Sequence, residues 1–444
     1  MKRKNKVILI ILTLLSFICL VACDALPYDK KDDDPINNTD DNKENTDTSK
    51  DPIDDPSDNP GDNNNEQQQA KKVEVKLGID QIDDYLELFK GKKVGLITNA
   101  TGVNSNFKST IDILYEKVNL VALFAPEHGI RGAAQAGDSI GNEIDQVTGL
   151  TVYSLYGATS TPTKDMLEKI DIMCIDIQDV GARFYTYIYT MSRAMEACAR
   201  NNKKFVVFDR PNPVSGEKFE GNILDMNYSS GIGKYPILQR HGLTIGEIAK
   251  LFNTEYEINC DLTVVEMKGW DRKLYIDETT CPWILPSPNM PTLDTAIVYT
   301  GTCMFEGTNL SEGRGTTRPF ELIGAPYVDS IALANRLNAL NLKGVYFRPA
   351  AFTPTTSKHS GQTCYGVQVH VLDRDEYEAV KTGWAMIQIV REMYPDDFNY
   401  TSTFNLLAGC SYFREGTYSL TELFNIIDND TAEWNKVRSK YLIY

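Results

Sequence analysis

Histidine is scarce in this chain. Only His128, His241, His359 and His370 occur among 444 residues, none with HExxH spacing, so a zinc protease lacks its ligands. No GxSxG elbow follows a predicted strand either, and a serine hydrolase reading loses ground with it. The two common phosphate-cradling loops are missing as well: no GxGxxG follows the first strand and no GxxxxGK[ST] occurs, which disfavours nicotinamide enzymes and P-loop NTPases. Nine cysteines are too few for a disulfide scaffold of this length. Beyond residue 70 there are seven (Cys174, Cys198, Cys260, Cys281, Cys303, Cys364 and Cys410), an odd number with no CxxC and no histidine at metal-ligand spacing. Buried unpaired thiols are expected, with Cys260 to Cys281 the one pairing left open. Basic residues are outnumbered 45 to 61 by acids, a net charge of −16 without a basic patch, and nucleic acid is therefore not expected as a partner. What is present is ordinary globular material, 42% hydrophobic and 10% aromatic, with room for two or three domains.

The acidity is unevenly placed. Lys2, Arg3, Lys4 and Lys6 precede an apolar stretch from Val7 to Ala22, the layout of a secretory signal. The stretch ends in Leu20-Val21-Ala22-Cys23, which resembles a bacterial lipobox with Cys23 as the lipidated residue, so residues 1–22 are expected to be a lipoprotein signal peptide and Cys23 to hold the protein to a membrane of the cell envelope. From Asp24 to Ala70 there are 15 acids against 4 lysines, five prolines and almost nothing apolar, and 23–70 is read as a solvated tether. Residues 71–444 then carry only −9, and an acidic substrate is not excluded. No loop of the tether has EF-hand spacing.

Between Lys71 and about Glu255, apolar runs at Lys93 to Thr98, Leu120 to Phe124, Leu150 to Leu155, Ile172 to Ile177 and Phe205 to Phe208 read as strands buried on both faces. Helical patterns at Thr110 to Lys117, Asp165 to Lys169 and Thr190 to Asn201 fill the intervals, which argues for a doubly wound α/β domain over 71–255. The remainder, 256–444, mixes strands (Leu262 to Met267, Ala296 to Tyr299, Gly366 to Leu372) with helices (Asp329 to Leu340, Arg374 to Met393) and reads as a second, smaller α/β domain that completes a cleft.

Ligands of open α/β sheets sit at the carboxyl ends of strands. Those ends are polar here: Asn99-Ala100-Thr101-Gly102, Ala125-Pro126-Glu127-His128-Gly129, Gln178-Asp179-Val180-Gly181-Ala182-Arg183 and Asp209-Arg210-Pro211-Asn212. The chemistry left after the exclusions is that of carboxylates, for which Glu127, Asp176, Asp179, Asp209, Glu220, Glu306 and Glu312 are available. Glycoside hydrolysis needs such an inventory, one carboxyl group protonating the leaving oxygen while a second group activates water or attacks the sugar. Glu127 is the first choice for the acid, since Pro126 and Gly129 fix a turn at a strand end and His128 can polarise its surroundings. Asp179 is a second catalytic candidate in a loop, whereas Asp176, inside a strand, serves structure as readily as function. Tyr185, Tyr187 and Tyr189 alternate after Arg183, a stripe that stacks on sugar faces or packs between domains. The Gly-rich loop from Glu306 to Thr316 carries Arg314 between two glycines, suited to a bidentate grip on a carboxylate, and Asn289 is held by flanking prolines.

Six strings in order, GLITNATG (95–102), FAPEHGIRG (124–132), DIQDVGARFYTY (176–187), FDRPNP (208–213), PSPNMPT (286–292) and FEGTNLSEGRGT (305–316), resemble the exo-β-N-acetylmuramidase family, formerly a domain of unknown function. The resemblance covers residues 73–444. It implies a Rossmann-like doubly wound N-terminal domain, a C-terminal domain, and a cleft between them that removes terminal N-acetylmuramic acid (MurNAc) from peptidoglycan-derived glycans without a cofactor or metal. Carried over residue by residue, it places the acid/base at Glu127, adds His128 and Asp179 to the catalytic candidates, and gives Asn99, Arg131, Arg183, Tyr185, Asn289, Asn309 and Arg314 as substrate-binding candidates. MurNAc carries a lactyl carboxylate, for which Arg131, Arg183 and Arg314 would supply local cations. A tether of ~47 residues would give the anchored enzyme a reach of roughly 35 to 40 Å. Two other classes stay open on the sequence: a lipid-anchored sugar-binding protein, and a metal-dependent hydrolase using Asp176, Asp179, Asp209 and His128.

Overall fold

The computed structural model describes residues 71–127, 129–130, 143–157 and 159–444. The expected signal peptide, Cys23, the tether, His128 and Arg131 lie outside the described residues. No helix among the described residues is long and apolar enough to cross a membrane.

The apolar runs of the first half become strands β1 (Val94–Thr98), β2 (Leu120–Ala125), β4 (Thr151–Ser154), β5 (Ile172–Asp176) and β6 (Lys204–Phe208), with a two-residue edge strand β3 (Glu143–Ile144) and a further strand β7 (Asp261–Val265). They form one sheet in the order β3-β4-β2-β1-β5-β6-β7. All neighbours run parallel except β3, which is antiparallel to β4. Without β3 the six parallel strands stand in the Rossmann order 3-2-1-4-5-6. β1 and β5 are buried along their whole length, as strands covered by helices on both faces must be. Alternate side chains enter separate cores: Leu96, Leu123 and Val206 lie on one side of the sheet, Ile97, Phe124 and Val207 on the other with the helices Tyr187–Arg200 and Ile245–Glu255.

The boundary expected between 255 and 256 falls inside this sheet. β7 pairs with β6 from Lys204↔Asp261 to Phe208↔Val265 and supplies the sixth parallel strand. The second half holds an antiparallel sheet, β8 (Leu322–Ala325), β9 (Val345–Phe352) and β10 (Cys364–Val371), in the order β8-β10-β9, packed against helices Leu293–Thr302, Ser330–Asn338 and Ala379–Met393. Residues Ala296 to Tyr299, expected as a strand, lie in the first of these helices. That helix is buried nearly all round, so it shows no polar face in sequence, and a short apolar run does not distinguish helix from strand. Its start is set by Thr292, whose hydroxyl accepts from the Thr295 amide at 3.2 Å. It meets Ala379–Met393 at Gly301 and Gly383, and a Cβ on Gly301 would sit 1.9 Å from the Ala379 carbonyl oxygen. Only glycine allows that approach. The apolar core that begins at Leu96 and Val206 continues to Phe305, Trp384 and Phe413, so the two halves share a core.

The seven cysteines beyond residue 70 are all buried and unpaired, and the Cys260 to Cys281 bridge is not formed.

Candidate active site

The switch point of the sheet, between β1 and β5, is stitched shut. Thr98 Oγ1 donates to the Asp176 carbonyl at 2.8 Å and the Gln178 amide to Thr101 Oγ1 at 2.9 Å. The open crevice is displaced toward the carboxyl ends of β2, β4 and β5, where a cleft of about 660 Å³ is lined by Glu127, Tyr156, Phe184, Tyr185, Thr186, Thr190 and Arg193 from the first half and by Ser287, Tyr299, Glu306 and Arg314 from the second. This is the size of a small-ligand site.

Glu127 follows β2 directly and is half-buried. Thr186, one residue before the helix Tyr187–Arg200, donates its hydroxyl to Glu127 Oε2 at 3.4 Å. The Tyr156 phenol stands near the same carboxylate, and burial, followed by the charge of Glu127, pushes the Tyr156 pKa up. The carboxylate is thus touched by the Thr186 hydroxyl, with the Tyr156 phenol nearby, in a partly water-excluded cleft, an arrangement suited to exchanging a proton with a bound oxygen.

The second half contributes an ionic cluster. Arg314 Nη2 lies 2.7 Å from Glu306 Oε1 and its Nε 3.3 Å from Glu312 Oε1. Lys358 approaches the other oxygen of the buried Glu312 at 2.8 Å. Burial works against the charge of Arg314, but Glu306 and Glu312 outweigh it and raise its pKa. Between the cluster and Glu127 stands an aromatic wall: Tyr185 packs edge-on against Tyr187 and Tyr299, with ring centroids 4.9 and 6.0 Å apart. Tyr187 and Tyr299 are buried behind Tyr185, and the partly exposed Tyr185 is the ring that can offer an apolar face to a sugar.

With this geometry in view, the relatives decide the family. The family model of the exo-β-N-acetylmuramidase NamZ N-terminal domain matches residues 94–294, and that of its C-terminal domain matches residues 297–444. A relative from Bacillus subtilis (strain 168), named peptidoglycan β-N-acetylmuramidase NamZ, is 54% identical over 388 residues, which is 86% of this chain and 94% of the relative. The chain belongs to the NamZ family. It is accordingly a glycoside hydrolase. Two crystal structures of DUF1343 family proteins from Bacteroides fragilis share the fold: one has a TM-score of 0.79 at 39% identity, covering 84% of this chain and 100% of the other, and the second has a TM-score of 0.68 at 34% identity, covering 84% and 99%. The two NamZ family models meet near residue 295, after β7, where the seven-stranded sheet is complete.

Of the residues expected in the site from sequence, the fold brings Glu127, Tyr185 and Arg314 to the NamZ cleft. Others it puts elsewhere. Arg183 is fully buried, and its two terminal nitrogens donate to four carbonyls, those of Asn222, Ile237, Leu407 and Ala408, at 2.8 to 3.0 Å. Desolvation lowers its pKa to about 10; its terminal nitrogens are taken up by these carbonyls, and its buried Nε has no hydrogen-bond partner among the described residues. Asp179 is buried behind the cleft wall: its Oδ2 accepts from the Gly181 amide at 2.7 Å and faces His241 Nε2 at 3.2 Å. Because His241 Nδ1 accepts from the Leu243 amide, Nε2 is the protonated nitrogen and donates to Asp179. Gly181, at φ 78°, supplies the turn, and a Cβ there would meet the Asn212 amide oxygen at 2.6 Å. Asn99 is consumed internally, accepting from the Thr101 amide at 2.9 Å and donating to the Tyr187 hydroxyl at 2.7 Å, which in turn donates to the Pro286 carbonyl at 2.6 Å. Its part is to hold the Ser287 loop against the first half. Asn289 lies in that loop outside the cleft lining, its amide donating to Ser287 Oγ at 3.3 Å. Asn309 pins the segment around Asn399, accepting from the Asn399 amide at 2.9 Å and from the Tyr327 hydroxyl at 3.1 Å.

The other carboxylates also have structural partners. Asp176 is buried against Arg210 and Thr110. Asp209 accepts from the Gly246 amide and from the hydroxyls of Thr244 and Tyr444, each at 2.8 Å. Glu220 accepts from the first amides of the helix Ala379–Met393, at 2.7 and 3.2 Å. The three aspartates of the metal-hydrolase reading are thus separately committed, and no cluster of three metal-ligating side chains occurs among the described residues. The string Gly137-Asp138-Ser139-Ile140-Gly141 spells GxSxG, but it lies outside the described residues, and the strand before it, β2, ends at Ala125.

Tyr156, Thr186, Arg193, Ser287 and Tyr299 line the cleft without having been singled out in sequence. Ser287 and Thr186 were within reach, since each falls inside a string that carries the family resemblance. Arg193 reads in sequence as the polar face of an amphipathic helix.

Proposed function

We propose that this protein cleaves the β-glycosidic bond that holds the non-reducing terminal MurNAc of peptidoglycan fragments, with Glu127 as general acid and then general base. The observation that carries the reading is one carboxylate, Glu127, held by Thr186 beside Tyr156 in the same cleft as a second, Glu306, with an aromatic wall between them. An acid on a strand-end turn protonates the leaving oxygen, and the Tyr185 face binds the ring. The name of the Bacillus subtilis relative supports the substrate class. The reading extends to cell-wall turnover, with Cys23 lipidated and the acidic segment 23–70 acting as a leash that lets the enzyme reach glycan ends from the cell envelope.

The test is release of MurNAc from a MurNAc-GlcNAc disaccharide by the wild type and by Glu127→Gln. Release that is lost in the variant, with MurNAc binding kept, supports the reading. Binding without release in the wild type supports a sugar-binding protein instead.

A further inference from the structure

A MurNAc-specific site must recognise the feature that separates MurNAc from N-acetylglucosamine, the lactyl carboxylate on O3. In a protein of net charge −16 that group needs a local cation with donors to spare. Two arginines line the cleft among the described residues, Arg193 and Arg314. Arg314 is already matched by Glu306 and Glu312, so the cluster around it carries no surplus positive charge for a ligand. Of the other cations expected near the site, Arg183 has its terminal nitrogens on four carbonyls of the core, and Arg131 lies outside the described residues.

Arg193 differs from both. Its Nε donates to the Ser160 carbonyl at 3.0 Å, which fixes the guanidinium plane, while neither terminal nitrogen has a hydrogen-bond or ion-pair partner among the described residues. The acid three residues along the helix, Glu196, is occupied by Lys234 and by the Tyr235 hydroxyl. Arg193 is partly buried, and burial lowers its pKa, the nearby charge of Glu196 only partly offsetting it. Its position is also apt. Thr186, Thr190 and Arg193 follow one another at i, i+4 and i+7, so they share a face of the helix, and all three line the cleft. Thr186 touches Glu127, and Arg193 follows ~10 Å further along the axis, with a side chain that leans back toward the helix N-terminus. One sugar ring with its O3 substituent spans that interval.

We propose that Arg193 binds the lactyl carboxylate of the terminal MurNAc through its two terminal nitrogens and thereby sets the preference for MurNAc over N-acetylglucosamine. The proposal rests on the substrate class given under the proposed function. A fixed guanidinium fork is the donor pattern that matches a carboxylate bidentately.

The experiment compares the wild type, Arg193→Ala, Arg193→Lys and Arg131→Ala on chromogenic β-glycosides of MurNAc and of N-acetylglucosamine, and measures binding of the free sugars by calorimetry. The account expects Arg193→Ala to lose about 10- to 100-fold in kcat/KM on the MurNAc glycoside, mainly through KM, with an equal loss in affinity for free MurNAc. Residual activity on the N-acetylglucosamine glycoside stays unchanged, so the preference ratio collapses, and Arg193→Lys recovers part of it. An unchanged ratio in Arg193→Ala, with the wild type active, overturns the proposal, as does a collapse of the ratio in Arg131→Ala alone. A wild type that binds MurNAc without cleaving it refutes the hydrolytic reading and leaves the affinity arm to decide on Arg193. A wild type that neither binds nor cleaves MurNAc overturns both.

Discussion

Thr186 donates its hydroxyl to Glu127 across 3.4 Å, and this contact joins the end of β2 to the start of the helix Tyr187–Arg200. The strand fixes the carboxylate at the rim of the sheet, and the helix carries Thr190 and Arg193 away from it along the cleft floor. On the proposed reading, catalytic and specificity functions share one element pair, which limits how far the acid can drift from the bound sugar.

Arg183 separates structural from substrate-binding arginines. Arg183→Ala would remove a donor from four buried carbonyls, of which Ala408 keeps the Asn222 side-chain amide and Ile237 the Leu224 amide, and it is expected to lower unfolding free energy by about 3 kcal/mol. Urea unfolding measures this. Protein that does fold should keep the wild-type KM, and a raised KM with stability intact would show that Arg183 contacts the substrate.

Asp209 gives stability a pH dependence. Burial, and then the neighbouring Glu247, raise its pKa to about 7, while its contacts with Gly246, Thr244 and Tyr444 only partly offset this. The unfolded value is ~3.9, so the folded state holds the proton more tightly. The stability this group contributes is complete below about pH 4 and is lost as pH rises toward 7. Asp209→Asn cannot ionise, and urea midpoints at pH 4.5 and pH 7.5 should differ less in the variant than in the wild type. An equal or larger difference in the variant would remove Asp209 as the source.

Thiol accounting follows from the core. All seven cysteines beyond residue 70 are buried and unpaired. A thiol reagent should react with almost none of them in native protein and with all seven after denaturation, and a reductant should leave the thermal midpoint unchanged. A midpoint that falls on reduction would reveal a bridge.

How much of this was legible in the sequence depended on whether the deciding interaction was local. β1 and β5 could be read because a strand buried on both faces is a continuous apolar run. Glu127 could be read because a strand end, a proline and a glycine set its turn within a few residues. Arg183 could not: the carbonyls it satisfies include those of Leu407 and Ala408, more than two hundred residues away. Asn309 was misplaced for the same reason, its partner Asn399 being distant in sequence. The place of β7 is hard to read because it is exposed at Asp261 and only partly buried through Val264, and nothing local marks it as the sheet's last strand. Arg193 is not marked as a site residue in sequence because its significance lies in terminal nitrogens that have no partner among the described residues, a property that only the fold reveals.

The central claim is that Glu127 protonates the leaving oxygen of a MurNAc glycoside. The most direct measurement is the rate of MurNAc release by the wild type and by Glu127→Gln, with and without EDTA, together with calorimetric binding of MurNAc to both. The account predicts a rate loss of ~10² to 10⁴ in the variant, binding within a few-fold of wild type, and no effect of chelator. A Glu127→Gln enzyme that releases MurNAc at the wild-type rate, or wild-type activity abolished by EDTA, would contradict it.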